Sequence, residues 1–263
     1  MKQKTSVLFL FCLLLAFSLQ AQGQAQIIAH RGYWQTEGSA QNSIRALELA
    51  DEIRVYGSEF DVHLTADNVA VIFHDDTIQG IAIQSATYDE IKDLTLANGE
   101  KLPTLQEYLE KGKTLTHTRL IFELKPHQTP ERNQEAARTV VEIVDRMGLK
   151  DRTEYITFDM DAGKEFIRVA PEAAVAYLRG DVAPAELKAL GYTGLDYHYN
   201  VMLEHPEWFE EAREAGLTIN VWTVNDPEII RQMVMSGVDY ITTDIPEEAA
   251  AIATHPVTTI ENI

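Results

Sequence analysis

The 263-residue sequence carries 22 Lys and Arg against 41 Asp and Glu, a formal charge of −19, with one cysteine and an apolar fraction of 45%. This acidity excludes nucleic acid and anionic membrane as general partners, because such a surface repels polyanions unless cations are gathered locally. The apolar content is that of an ordinary globular core, and a single cysteine makes no internal disulfide.

The chain opens with Lys2 and Lys4, an apolar run over 7–17 and small or polar residues up to Ala21 and Ala25, which reads as a secretory signal peptide over 1–25. The run falls short of the roughly 20 residues of a spanning helix, and no second one follows. The expectation is export to the periplasm or the medium without stable membrane insertion; an uncleaved anchor is the competing reading. Cys12 lies inside the run behind the bulky Phe11, which argues against lipidation, and no cysteine remains beyond it. Residues 26–263, about 240 in number, suit one large domain.

Beyond the signal, short β-rich runs alternate with longer runs of helical period. Strands are predicted at 27–29, 57–62, 119–124, 154–157, 174–177, 193–196, 218–222 and 239–242. Helices are predicted at 42–53, near 104–111, and at 131–147, 162–169, 184–190, 207–215, 227–235 and 246–253. Pro184, Pro227 and Pro246 open helices where a missing N–H costs nothing, and Gly148, Gly191, Gly216 and Gly237 fall where helices should stop. Eight strand-then-helix units need crossovers and a parallel sheet, so the expected fold is α/β, a (β/α)8 TIM barrel, with a doubly wound open sheet as runner-up. One unit is irregular: Thr65-Ala66-Asp67-Asn68 reads as a turn into 69–74, and 75–103 forms a small insertion after the second strand. The insertion is read as a lid or specificity element, or else as an inert loop.

In such a barrel the active site lies at the C-terminal strand ends, which makes charged residues there site candidates. Period-two alternation puts Glu59 and Asp61 on the interior face and Phe60 outward. Two carboxylates in a packed interior are costly without a cation between them, and Glu123 from the next strand offers a third oxygen ligand. An all-carboxylate set suits one hard divalent cation, Mg²⁺, Ca²⁺ or Mn²⁺, better than zinc; the alternative is solvated carboxylates paired with Arg or Lys. His30 and His74 are candidates for a proton-transferring pair, because imidazole titrates near neutral pH, although either alone is more often structural. Arg31 and Lys125 offer positive charge to phosphate oxygens, or serve as salt-bridge partners. Asp75 and Asp76 are read as orienting an imidazole or capping the loop. His198 and Tyr199 are candidate pocket residues, whereas His63 is expected to point away from the site.

The segments His30-Arg31-Gly32, Glu59-Phe60-Asp61-Val62 with Thr65 and Asp67, Val71-Ile72-Phe73-His74-Asp75, Leu102-Pro103-Thr104-Leu105, Phe122-Glu123-Leu124-Lys125, Val221-Trp222-Thr223-Val224-Asn225 and Gly237-Val238-Asp239 through Thr243-Asp244-Ile245-Pro246 follow one another along the chain. Their order and spacing resemble the glycerophosphodiester phosphodiesterase family. The resemblance implies a (β/α)8 barrel with His30 and His74 as the catalytic pair, Glu59, Asp61 and Glu123 as metal ligands and Arg31 and Lys125 as phosphate contacts. It also implies Trp222 as an apolar wall near the substrate, and a small-molecule phosphodiester cleaved to glycerol phosphate and an alcohol. One departure is visible: Ala40-Gln41-Asn42-Ser43 stands where the family usually has Pro-Glu-Asn-Thr, which replaces an acid by a neutral amide. Two alternatives stay open. One is a phospholipase-like lyase releasing a cyclic phosphate, which an exposed apolar rim on the insertion would favour. The other is a secreted binding barrel without catalysis, motivated by Gln41.

Overall fold

In the computed structural model, which describes residues 24–255, each β-rich run becomes a strand with both faces covered. The signal peptide expected over 1–25 lies outside the described residues except for its last two. In chain order the strands are β1 (Gln26–Ala29), β2 (Gly57–Leu64), β3 (Ala70–Ile72), β4 (Thr77–Ile78), β5 (Ile81–Ala82), β6 (Arg119–Leu124), β7 (Thr153–Thr157), β8 (Val175–Tyr177), β9 (Gly194–His198), β10 (Thr218–Trp222) and β11 (Tyr240–Thr243). Eight of them pair in parallel in the order β1-β11-β10-β9-β8-β7-β6-β2, and a further β1–β2 pairing closes the ring. The fold is a (β/α)8 barrel and not the open sheet. The register is longest between β2 and β6, where Asp61 stands opposite Glu123.

The helices between the strands are α1 (Ile44–Glu52), α2 (Tyr88–Ile91), α3 (Leu105–Thr114), α4 (Pro130–Met147), α5 (Met160–Val169), α6 (Pro184–Leu190), α7 (Tyr199–Glu204), α8 (Trp208–Ala215), α9 (Pro227–Ser236) and α10 (Pro246–Thr254). Their starts are written in polar side chains that accept from free N–H groups: Ser43 for α1, Thr104 for α3, Thr129 for α4, Asp159 for α5 and Asp226 for α9. Gly148, Gly191, Gly216 and Gly237 end α4, α6, α8 and α9 in the left-handed conformation, as their positions in the sequence predict. The short α2 and α7 turns lack the length to show a period and are not anticipated from sequence.

Two apolar layers divide the inward and outward faces. Outside the ring, Phe60 meets Tyr108 of α3 and Phe122, Phe122 meets Tyr155, and Tyr155 stacks on Phe166 of α5 with ring centroids 4.5 Å apart. Inside, Ile28, Ile121, Ile156 and Leu178 form a small plug. Beneath it, Tyr56 donates to Glu154 Oε1 at 2.6 Å and packs on Tyr240, which closes the N-terminal mouth. The plug separates that mouth from the carboxylates at the C-terminal one.

The irregular unit begins with a hairpin. Thr65–Asn68 turns β2 back into β3, which pairs antiparallel on β2 outside the closed ring and places His74 just past its end. The β4–β5 hairpin follows, turned by Gln79 and Gly80 at φ 50° and 85°, the positive pair that a two-residue turn of the primed type needs. The insertion has a core of its own in which Val71, Ile78, Ile83, Ile91, Leu96 and Leu102 are buried together. Of the isoleucines at 78, 81 and 83, only Ile81 is exposed, at 36%, so the insertion carries no apolar rim.

Candidate active site

Residues 31 and 32 turn sharply at the end of β1. Arg31 has φ 55°, rare for a side chain with a Cβ, and Gly32 follows at φ 76°. A Cβ on Gly32 would also lie 2.6 Å from Ala46 Cβ, so glycine is required on both counts. The kink sends the Arg31 N–H to Glu59 Oε2 at 2.8 Å. Strained backbone of this kind persists where neighbouring structure over-determines it.

Glu59 and Asp61 from β2 and Glu123 from β6 are all buried, and one carboxylate oxygen of each lies within 4.8 Å of the others. Asn42, itself at φ 62°, holds Asp61 twice: its Nδ2 donates to Asp61 Oδ2 at 2.8 Å and its Oδ1 accepts the Asp61 N–H at 3.1 Å. Lys125 Nζ bridges Asp61 Oδ1 at 3.2 Å and Glu123 Oε1 at 2.8 Å. Burial raises the Glu59 carboxyl well above the usual range, with the Asp61 and Glu123 charges adding to it. Burial and Asp61 likewise push Glu123 up to about 7, against Lys125. Burial also works against the Asp61 charge, but Lys125, His74, the Asn42 hydrogen bond and Arg31 outweigh it and hold Asp61 low. For Lys125, Asp61 and Glu123 overcome burial and keep the ammonium charged.

Each candidate histidine has its Nδ1 against a carboxylate. His30 Nδ1 lies 2.8 Å from Asp244 Oδ1, and His74 Nδ1 lies 2.6 Å from Asp75 Oδ1. Asp244 is itself fixed by Asn225 Nδ2 at 2.7 Å and Trp34 Nε1 at 3.1 Å, and these bonds together with that to His30 hold it below the usual range despite its burial. Asp75 is exposed on its loop, and burial, with Lys125 adding, lowers the His74 pKa although Asp61 opposes the shift. In both rings Nε2 is the nitrogen left to exchange a proton.

These groups line a cavity of about 100 Å³ together with Arg31, Phe158, Leu178 and Trp222. Asp61 stands behind the lining, shielded by Asn42 and Lys125. Trp222 forms a wall, its Nε1 donating to the Asp196 main-chain oxygen at 2.9 Å and its ring edge-on to Phe158 and His198. All eight predicted site residues therefore converge on one mouth. Gln41 accepts from Arg31 Nη1 at 2.7 Å, and the loop after β1 is fastened by Tyr33, which donates to Glu247, and Trp34, which donates to Asp244.

Four residues escape the sequence reading. Asp244 and Asn225 lie in matched segments with nothing to mark their partnership with His30. Asp196, in the middle of β9, faces inward and lines the cavity with Oδ1 without a partner, and burial with the nearby Glu123 charge raises its carboxyl well above the usual range. His63, expected to point away, does not: it lies two residues beyond Asp61, so alternation returns it to the same face, and it is fully buried.

The model of the glycerophosphoryl diester phosphodiesterase family matches residues 30–248. A glycerophosphodiester phosphodiesterase of Caldanaerobacter subterraneus subsp. tengcongensis is 26% identical over 237 residues, which cover 84% of this chain and 94% of that protein. The crystal structure of a glycerophosphodiester phosphodiesterase from Parabacteroides distasonis superposes with a TM-score of 0.87 at 61% identity, covering 88% of this chain and 97% of that one. An Oleispira antarctica phosphodiesterase, solved in complex with the product sn-glycerol-3-phosphate, superposes with a TM-score of 0.73 at 25% identity, covering 88% and 97%. Barrel, site and match together show that this chain is an enzyme of the glycerophosphoryl diester phosphodiesterase family.

Proposed function

We propose that the protein is an exported, divalent-cation-dependent hydrolase that cleaves glycerophosphodiesters to glycerol phosphate and an alcohol. The observation that carries the cation is the state of the carboxylates: Glu59 Oε1 is buried without a hydrogen-bond partner, and the single ammonium of Lys125, which meets Asp61 and Glu123, is set against three buried carboxylates. Three oxygen ligands on rigid strand ends fit a hard cation such as Mg²⁺ or Ca²⁺. Held by Glu59, Asp61 and Glu123, it would neutralise charge on the phosphoryl oxygens. Arg31 and Lys125 grip those oxygens by their guanidinium and ammonium groups. One imidazole takes the proton of the attacking oxygen as its bond to phosphorus forms, and the other gives a proton to the alkoxide as its bond breaks. Export rests on the sequence of residues 1–25.

The test is a panel of glycerophosphodiesters and lipid analogues assayed with each divalent cation, with products read by phosphorus NMR. Glycerol phosphate should form, a chelator should stop it, and Mg²⁺ or Ca²⁺ should restore it. His30→Ala and His74→Ala should each lose activity by more than about a hundredfold with cation binding retained. Near-normal turnover in both variants would falsify the assignment. The lyase reading draws no support from the buried faces of Ile78 and Ile83.

A further inference from the structure

His63 presents its two ring nitrogens to the two ends of one segment. Nε2 stands 3.4 Å from the main-chain oxygen of His74, and Nδ1 stands 3.1 Å from Gln84 Nε2. Gln84 Nε2 also donates to the main-chain oxygen of Pro126 at 2.9 Å. The partners fix the tautomer. A carbonyl only accepts, so the amide nitrogen of Gln84 faces Pro126, and its second N–H then points at His63 Nδ1, which must accept. The ring proton therefore sits on Nε2 and is given to the His74 carbonyl.

The segment so fastened is otherwise loosely held. Between His74 and Gln84, residues 75–77 and 79–82 are exposed, while Ile78 and Ile83 anchor the hairpin to the small core of the insertion. The main-chain hold of β2 on the strand before it ends at Phe73, whose N–H donates to the Asp61 oxygen at 3.0 Å. His74, whose ring reaches the cavity, is the next residue. Asp75, which fixes that ring, comes one further along.

We propose that His63 is a positioning residue: by clasping both ends of 74–84 it fixes the backbone from which His74 enters the cavity. Through Gln84 and Pro126 it ties that backbone to the strand end that carries Lys125. The role rests on His74 transferring a proton in the function proposed above.

The test uses the full chain with a divalent cation and four variants: His63→Leu, which removes both bonds; His63→Gln, which keeps an N–H and an acceptor; His74→Ala; and the His63→Leu, His74→Ala pair. Rates are measured on a glycerophosphodiester and on bis(p-nitrophenyl) phosphate, whose leaving group needs no proton and which keeps residual rates readable. Misplacing a reacting group by about 1 Å costs up to about a hundredfold, so kcat of His63→Leu should fall by between ten- and a hundredfold with KM little changed. His63→Gln should recover most of the loss, and His63→Leu should cost nothing more once His74 is gone. Amide hydrogen exchange should quicken over 74–84 and stay unchanged in the barrel strands. Unchanged kcat in folded His63→Leu overturns the proposal, as does an equal loss in the His74→Ala background or a uniform rise in exchange. Should the wild type cleave neither substrate, the functional reading falls and the exchange pattern alone decides the clasp.

Discussion

Arg31 sets its Nε 3.7 Å from Asp61 Oδ2 and donates from Nη1 to Gln41 Oε1 at 2.7 Å, so a neutral amide orients it without adding a second negative charge. A carboxylate at that position would orient it equally well but cancel its charge, within a protein that is already strongly acidic. Gln41→Glu should therefore raise KM for a glycerophosphodiester several-fold, by about 1 kcal/mol of lost attraction, and leave kcat nearly unchanged; steady-state kinetics at two ionic strengths check this. Seen this way, the departure at 41 favours anion binding and gives no reason to expect a barrel without catalysis. Single residues were legible in the sequence where chemistry and local spacing coincide, as in Glu59-Phe60-Asp61. They were illegible where the partner is distant: Asp244 meets His30 across 214 positions. His63 is within reach of the sequence, since two steps along a strand restore the face, and so is Asp196, a charged residue at the end of the strand predicted at 193–196.

At the scale of elements, most helices begin and end where short polar side chains, Pro and Gly say they should, because capping is a local contact that the sequence displays directly. The hairpin of β2 and β3 was legible as a turn followed by an apolar run, but its antiparallel docking depends on what lies beside β2, which no local pattern records. Docking between α4 and α5 runs through Glu165, which accepts from Arg138 across the interface at 2.7 Å and from Arg168 on its own helix at 2.6 and 2.8 Å. Arg168 above all, then Arg138, push the Glu165 carboxyl down to about 2 against burial. A carboxyl lowered on folding adds stability above its unfolded pKa, and the addition fades as pH drops toward the folded value. Glu165→Gln should thus cost about 1 kcal/mol at pH 6, modest because both guanidinium groups are partly exposed, with the gap closing between about pH 4.5 and pH 2. Urea midpoints of the two proteins at pH 6 and pH 3 measure it.

Across the whole molecule, a chain of net charge −19 gathers Arg31 and Lys125 at the one mouth where anions must enter, which separates bulk repulsion from local attraction. The same mouth crowds Glu59, Asp61 and Glu123 together, a repulsion that the cation proposed above would relieve. A divalent ion at a hundred times its dissociation constant adds about 2.7 kcal/mol to the folded state. The midpoint of thermal unfolding should rise accordingly with Mg²⁺ or Ca²⁺. The rise should be larger at pH 8 than at pH 6, because protons compete for Glu123 as the pH falls through about 7. Calorimetric scans with and without chelator test both statements; an equal shift at the two pH values removes the carboxylates from the binding site. The barrel as a class was readable from eight alternating units, whereas its closure through the β1–β2 pairing is a property of the ring as a whole.

That closure sets a timetable for the growing chain. All three carboxylates are synthesised by residue 123, and both imidazoles earlier still, yet β1 gains one of its two neighbours only when β11 arrives, and Asp244, the partner of His30, follows directly after β11. Pairing across so long a separation is slow and comes late. In the function proposed above, a C-terminally shortened chain that lacks β11 and Asp244 leaves the ring open and His30 without its carboxylate partner, and should be inactive.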